Sequence, residues 1–235
     1  MDIKTLEHEF EKAEKTEDFS IHNAFVKDLL ATSTPEILQF HFRLLIKTES
    51  TNQKLYQRLR AAFGKRGESA KPFLIAQTEH ESDPKIKGDA IQILGHIRAS
   101  EVLPVCRICL SDENDYLRYN SIIVLGWMGE PNDVDLLCTR MKVEIEPRLR
   151  GYLATALRQI FLRFPETKNA CLRCLQNAIG IEQDEFALEL IIIGAQTISR
   201  QYFGLRESIN QGVVTGDIQK AKIKSLSYFE SMAWQ

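Results

Sequence analysis

DPKIKGDAIQILGHIRASEVLPVCRICLSDENDYLRYNSIIVLGWMG, residues 83–129, carries one pattern twice. Its opening, DPKIKGDAIQILGHIR (83–98), returns 31 positions later as NDYLRYNSIIVLGWMG (114–129). A further 32 positions on stands EPRLRGYLATALRQIF (146–161), and 31 positions before the first copy stands NQKLYQRLRAAFGKRG (52–67). The matching residues are those one buried helix face needs. They are Ile86, Ala90, Ile93, Leu94 and Ile97, then Leu117, Ser121, Val124, Leu125 and Met128, then Leu149, Leu153, Ala156, Leu157 and Ile160. The 52–67 copy keeps Leu55, Leu59, Ala62 and Phe63, and Arg66 breaks its pattern. A spacing of i, i+4, i+7, i+8 draws one stripe along an amphipathic helix. Ala90 and Ser121, small residues in the second slot, let neighbouring helices approach closely.

Start signals agree with the stripes. Asp83 can cap a helix whose first position is Pro84, and Pro147 holds the equivalent place. Proline there fixes φ and gives up an N–H that had no partner. Thr34–Pro35 has the same form and predicts a helix through roughly Lys47. Residues 100–111, 131–142 and 165–178 predict a second helix after each first one, opening at Ser100, Pro131 and Pro165, with turns at Gly64, Gly67, Gly129 and Asn132. One such hairpin cannot bury its apolar face alone, so hairpins stack. The expected fold is an all-α solenoid of about five to six hairpins in a single domain over 1–235. Its clear repeats cover 52–175, with degenerate repeats at 20–50 and 182–203. Beyond Gly212, Gly216 and Asp217, the stripe Ile218, Ala221, Ser225, Tyr228 and Phe229 predicts a capping helix within 216–234.

The repeat resembles HEAT-like repeats of the short kind found in phycobilisome lyases. The carriers are Asp83, Lys87, Ala90 and Leu94–Gly95, answered by Asp115, Arg118, Ser121 and Leu125–Gly126. The third copy keeps Arg150 but has Arg158 in place of the glycine. The period is shorter than in ordinary HEAT units. The resemblance implies that Lys87, Arg118 and Arg150 brace the turn between units through carbonyls or acidic side chains, with Asp112 and Asp115 the nearest acids.

Thirty basic and 32 acidic residues give a formal charge of −2, and 44% of residues are apolar. This is a globular composition with no bulk signal for nucleic acid. The opening 1–19 lacks the apolar run of a signal peptide, and the most apolar stretch, 188–195, is too short to span a bilayer. The expectation is a cytoplasmic protein with no membrane contact. Five cysteines, an odd number in such a chain, argue against a disulfide framework.

Cys106 and Cys109 form one CxxC, and Cys171 and Cys174 another, a pattern that can hold zinc. The repeat register argues otherwise. With Cys138 these cysteines fall in corresponding slots of successive second helices, where buried cysteine serves as a small hydrophobe. No metal, cofactor or catalytic residue is expected. His8, His22, His41, His80 and His96 have no metal-ligand spacing, Glu79, Glu81 and Asp83 read as a solvated turn, and no phosphate-binding or nucleophile-elbow motif occurs.

The candidate binding residues lie on the second helices, which line the concave face of such solenoids. Arg107, Arg140, Lys142, Lys168 and Arg173 would suit an acidic partner if they project together, and a solvated face is the bland alternative. Trp127 either packs at the hairpin tip or anchors an interface. The leading expectation is a non-catalytic protein-binding scaffold. One concrete form is an immunity-type inhibitor that occludes a toxin, a role in which small bacterial HEAT-like proteins occur. A HEAT-like DNA glycosylase is the second reading, opposed by the charge and by having only two tryptophans, Trp127 and Trp234. A bilin lyase-like protein that handles a chromophore is the third, and it rests on the repeat resemblance alone.

Overall fold

Short polar side chains and prolines set the helix starts. Asp83 accepts from the Lys85 amide at 2.8 Å, Asn52 from the Leu55 amide at 3.0 Å, and Asn114 from the Tyr116 amide at 3.0 Å. Each satisfies an N–H that helix geometry leaves without a partner. The computed structural model describes residues 2–208 and 213–232, so Gly212 and Trp234 lie outside the described residues. The chain packs as two compact units, Met1–Val102 and Leu103–Gln235.

The first unit holds α1 (Ile3–Glu14), α2 (Phe19–Leu29), α3 (Pro35–Thr51), α4 (Gln53–Lys65), α5 (Lys71–His80) and α6 (Pro84–His96). Three hairpins form, α1 with α2, α3 with α4 and α5 with α6. Helices α2, α4 and α6 make one layer, and α1 packs on α3 in the other. The expected stripe Leu55, Leu59, Ala62 and Phe63 is buried, and Phe42 meets Phe63 edge-on at 5.6 Å. Helix α1 lies before the repeats expected from sequence, while α2 and α5 fall within the expected ranges 20–50 and 52–175. Helix α3 runs past Lys47 to Thr51, where Asn52 ends it and caps α4.

Arg66, the break in the sequence pattern, is buried and has four partners. It donates to the Leu29 carbonyl (2.7 Å), the Thr32 carbonyl (2.6 Å), Ser33 Oγ (3.0 Å) and His41 Nδ1 (3.1 Å). It thereby satisfies carbonyls at the C-terminal end of α2, where a cation is favoured. The Nε2 of His41 donates to the Leu59 carbonyl at 3.0 Å. Burial first, and the Arg66 charge second, push the His41 pKa down to about 3.

The second unit holds α7 (Val102–Cys109), α8 (Asp115–Met128), α9 (Asp133–Val143), α10 (Pro147–Arg163), α11 (Lys168–Ile181), α12 (Glu185–Ser199) and α13 (Ile218–Ser231). Helix α10 packs between α8 and α12, while α9 and α11 form the opposing layer. The approach of α8 to α10 depends on Gly126, where a Cβ would stand 3.2 Å from the Ala156 Cα. Both units thus have the two-layer stacking of an α-solenoid. Helix α13 covers α11 and α12 with Ala221, Ser225 and Phe229, as the sequence stripe predicts for a cap.

Between α12 and α13 the all-helical expectation gives way to a small antiparallel pair, β1 (Arg206–Ser208) with β2 (Val213–Thr215), Arg206 opposite Thr215. One side chain organises its approach. The Oε1 of Gln196 accepts from the amides of Phe203, Gly204 and Leu205 at 2.8–3.2 Å, and its Nε2 donates to the Leu205 carbonyl at 3.0 Å. Gly204 and Gly216 have φ of +124° and +131°, values that favour glycine.

Candidate protein-binding site

The arginine ladder is built into the turns. Arg118 donates through Nη1 to the carbonyls of Asp112 (3.0 Å) and Glu113 (2.8 Å), and through Nε and Nη2 to both oxygens of Glu144. Arg150 repeats this on the carbonyls of Glu144 and Ile145 and on both oxygens of Glu182. The acids come from the following turn, not from Asp112 or Asp115. Burial opposes charge on Glu144 and Glu182, but the arginine and amide hydrogen bonds outweigh it and hold both carboxyls below the usual range. Among the described residues, Lys87 has no counterpart of these hydrogen bonds.

The basic residues of the second helices divide. Arg107 makes a bidentate pair with buried Asp133 (2.7 and 3.1 Å) and reaches Glu130 at 3.2 Å. Arg140 joins Arg118 on Glu144 at 2.9 Å. Lys142, Lys168 and Arg173 are exposed on α9 and α11. Trp127 stands half-buried on α8, in the other layer. Cys106, Cys109, Cys171 and Cys174 are buried, whereas Cys138 is partly accessible. Among the described residues, no three side chains of His, Cys, Asp or Glu gather as a metal cluster, and no helix is long and apolar enough to cross a membrane.

Across α8, α10 and α12 runs a row of rings. Tyr116 lies 6.4 Å from Tyr119, Tyr119 meets Tyr152 edge-on at 5.3 Å, and Tyr152 meets Phe186 edge-on at 6.0 Å. The tyrosines are half-buried and Phe186 is 41% exposed. Arg148, exposed one turn before Tyr152, stands beside it, and Tyr152 favours the charged form of its guanidinium. Asp115, Tyr116, Tyr119, Glu146, Arg148 and Tyr152 border a concavity of about 390 Å³. Ile123, four residues after Tyr119, shares its side of the helix, and Trp127 follows one turn later. Trp127 therefore lies on the helix that carries Tyr116 and Tyr119, not on those that carry the basic residues.

Residues 72–178 match the family model for HEAT repeats. The chain carries HEAT-like repeats over this stretch. No curated protein matches it. HEAT repeats are protein-interaction scaffolds, so the surfaces that matter are those that can hold a partner's side chains. In this HEAT-like chain the sequence reading passed over the aromatic row. Its signal was present, because Tyr119, Tyr152 and Phe186 follow one another by 33 and 34 residues, almost the repeat period. They fall just outside the core stripe, the only part of the period that apolar matching weighed.

Proposed function

We propose that the chain binds another protein through the ring row of α8, α10 and α12, without catalysing a reaction. One observation carries this: Tyr116, Tyr119, Tyr152 and Phe186 form a connected, partly exposed row beside Arg148. Tyrosine, tryptophan and arginine are the residue types that most often dominate interface energies, because they offer large rigid area with a polar tip. The HEAT-like scaffold supports the reading by fixing three helices against one another through close contacts at Gly126 and Gly151.

The concrete form we propose is an immunity-type inhibitor that occludes a toxin, acting in the cytoplasm. An acidic surface on the partner would be met by Lys142, Lys168 and Arg173. The test is affinity capture from extract of the producing cells, comparing wild type with Tyr119→Ala/Tyr152→Ala/Phe186→Ala and with Lys142→Glu/Lys168→Glu/Arg173→Glu. Each aromatic anchor contributes on the order of 2 kcal/mol, so the aromatic variant should lose a partner that wild type enriches. Loss in the charge-reversed variant alone would move the site to the second helices. Co-expression of that partner should slow growth, and the HEAT-like chain should restore it if the partner is a toxin.

A further inference from the structure

We propose that Cys138, Met141 and Cys174 form a three-sulfur site for a soft monovalent metal ion, copper(I). Cys138 and Met141 lie three residues apart on α9 and so share one side of it. Cys174 faces them from α11, with its Sγ 3.8 Å from Met141 Sδ. Cys138 and Cys174 stand near enough for their thiols to interact. Three sulfurs bound to one ion at about 2.3 Å in a trigonal plane stand about 4 Å apart, close to the 3.8 Å between Cys174 and Met141. All three border one cavity of about 190 Å³ between α9 and α11. Partly accessible Cys138 gives a route in.

The donor set selects the ion. Two thiolates and a thioether are soft ligands that favour copper(I), whereas structural zinc takes four nitrogen or sulfur ligands. The carboxylates on the cavity wall, Glu144 and Glu182, are engaged by Arg118, Arg140 and Arg150. Lys142 also lines the cavity and offsets the net charge of two thiolates on a monovalent ion. Cys171 is turned away, its Sγ 3.8 Å from the Leu157 carbonyl and from Thr167 Oγ1. Binding forms three metal–sulfur bonds and releases the two thiol protons to solvent, with no change in oxidation state, so affinity rises with pH. The sequence reading placed Cys138 with the core cysteines, and it had no means of seeing that the neighbouring helix would bring Cys174 to its thiol.

The test is anaerobic titration of the reduced full chain with copper(I) held by bicinchoninate. The expected result is withdrawal of one equivalent, lost in Cys138→Ser and in Cys174→Ser, weakened in Met141→Leu, and kept in Cys106→Ser/Cys109→Ser. Copper X-ray absorption should show an all-sulfur shell. Far-ultraviolet circular dichroism checks that each variant folds. Should a variant unfold, protection of wild-type Cys138 from iodoacetamide by copper(I) decides in its place. Failure of folded wild type to withdraw copper, retention by folded Cys138→Ser, a shell with nitrogen or oxygen ligands, or no protection overturns the proposal.

Discussion

Replacing Glu144 with glutamine strikes a carboxylate that two arginines of the second unit share. Glu144 is fully buried and accepts from Arg118 at 2.9 and 3.0 Å, from Arg140 at 2.9 Å and from the Glu146 amide at 3.0 Å. Arg118 is itself buried and has two turn carbonyls as its other partners. Glutamine keeps the shape but removes the charge and offers an N–H where an acceptor is needed. Breaking a buried pair from one side costs about 3–5 kcal/mol, because the remaining charge is left uncompensated. Both tryptophans, Trp127 and Trp234, fall in 103–235, so urea unfolding followed by tryptophan fluorescence reports this segment. Glu144→Gln should lower the midpoint without changing the slope. The pH dependence supplies a second check. Because the folded pKa of Glu144 is depressed, its contribution is present above the unfolded carboxylate value and is lost as pH falls through the folded one. Wild type should therefore converge on the variant in acid. A loss of less than about 1 kcal/mol at pH 7, in the range of an exposed pair, would refute the bracket.

In the first unit, His41 stays neutral when folded down to about pH 3, while the unfolded chain takes up the proton near 6.5. Stability is therefore full above pH 6.5 and falls between there and about 3. His41→Gln should flatten the acid limb of urea midpoints measured by far-ultraviolet ellipticity. Arg200 ends α12 at φ 60°, a left-handed conformation that costs a side chain energy. Arg200→Gly should raise the unfolding free energy by roughly 0.5–1 kcal/mol. Gly126→Val forces a branched side chain against Gln159 and Ala156, and about 1–3 kcal/mol should be lost in thermal or urea melts.

The core stripe was legible because the physics that buries it is local. Leu117, Ser121, Val124 and Leu125 lie within three turns of helix, and all four are buried. The role of Arg118 and Arg150 as turn braces was legible too, through the family resemblance. Their acids were not, since Glu144 stands 26 residues beyond Arg118 and is brought in by the stacking of the next hairpin. Arg66 looked like an interruption because its partners at Leu29, Thr32 and His41 belong to another part of the chain. The short β pair rests on a single glutamine reaching seven to nine residues ahead, a signal that neither periodicity nor composition carries. The candidate site hid for a related reason. Its rings recur with the period, but they sit beside the buried face, where a sequence pattern alone does not separate packing from contact.

Site-specific photo-crosslinking tests the binding claim most directly. A benzophenone side chain placed at Tyr152, in the middle of the ring row, is compared in the producing cells with the same group at Lys168 on α11. The account predicts a discrete higher-mass adduct with another protein from position 152 and none from 168. Adducts from 168 alone, or from neither position, would contradict it.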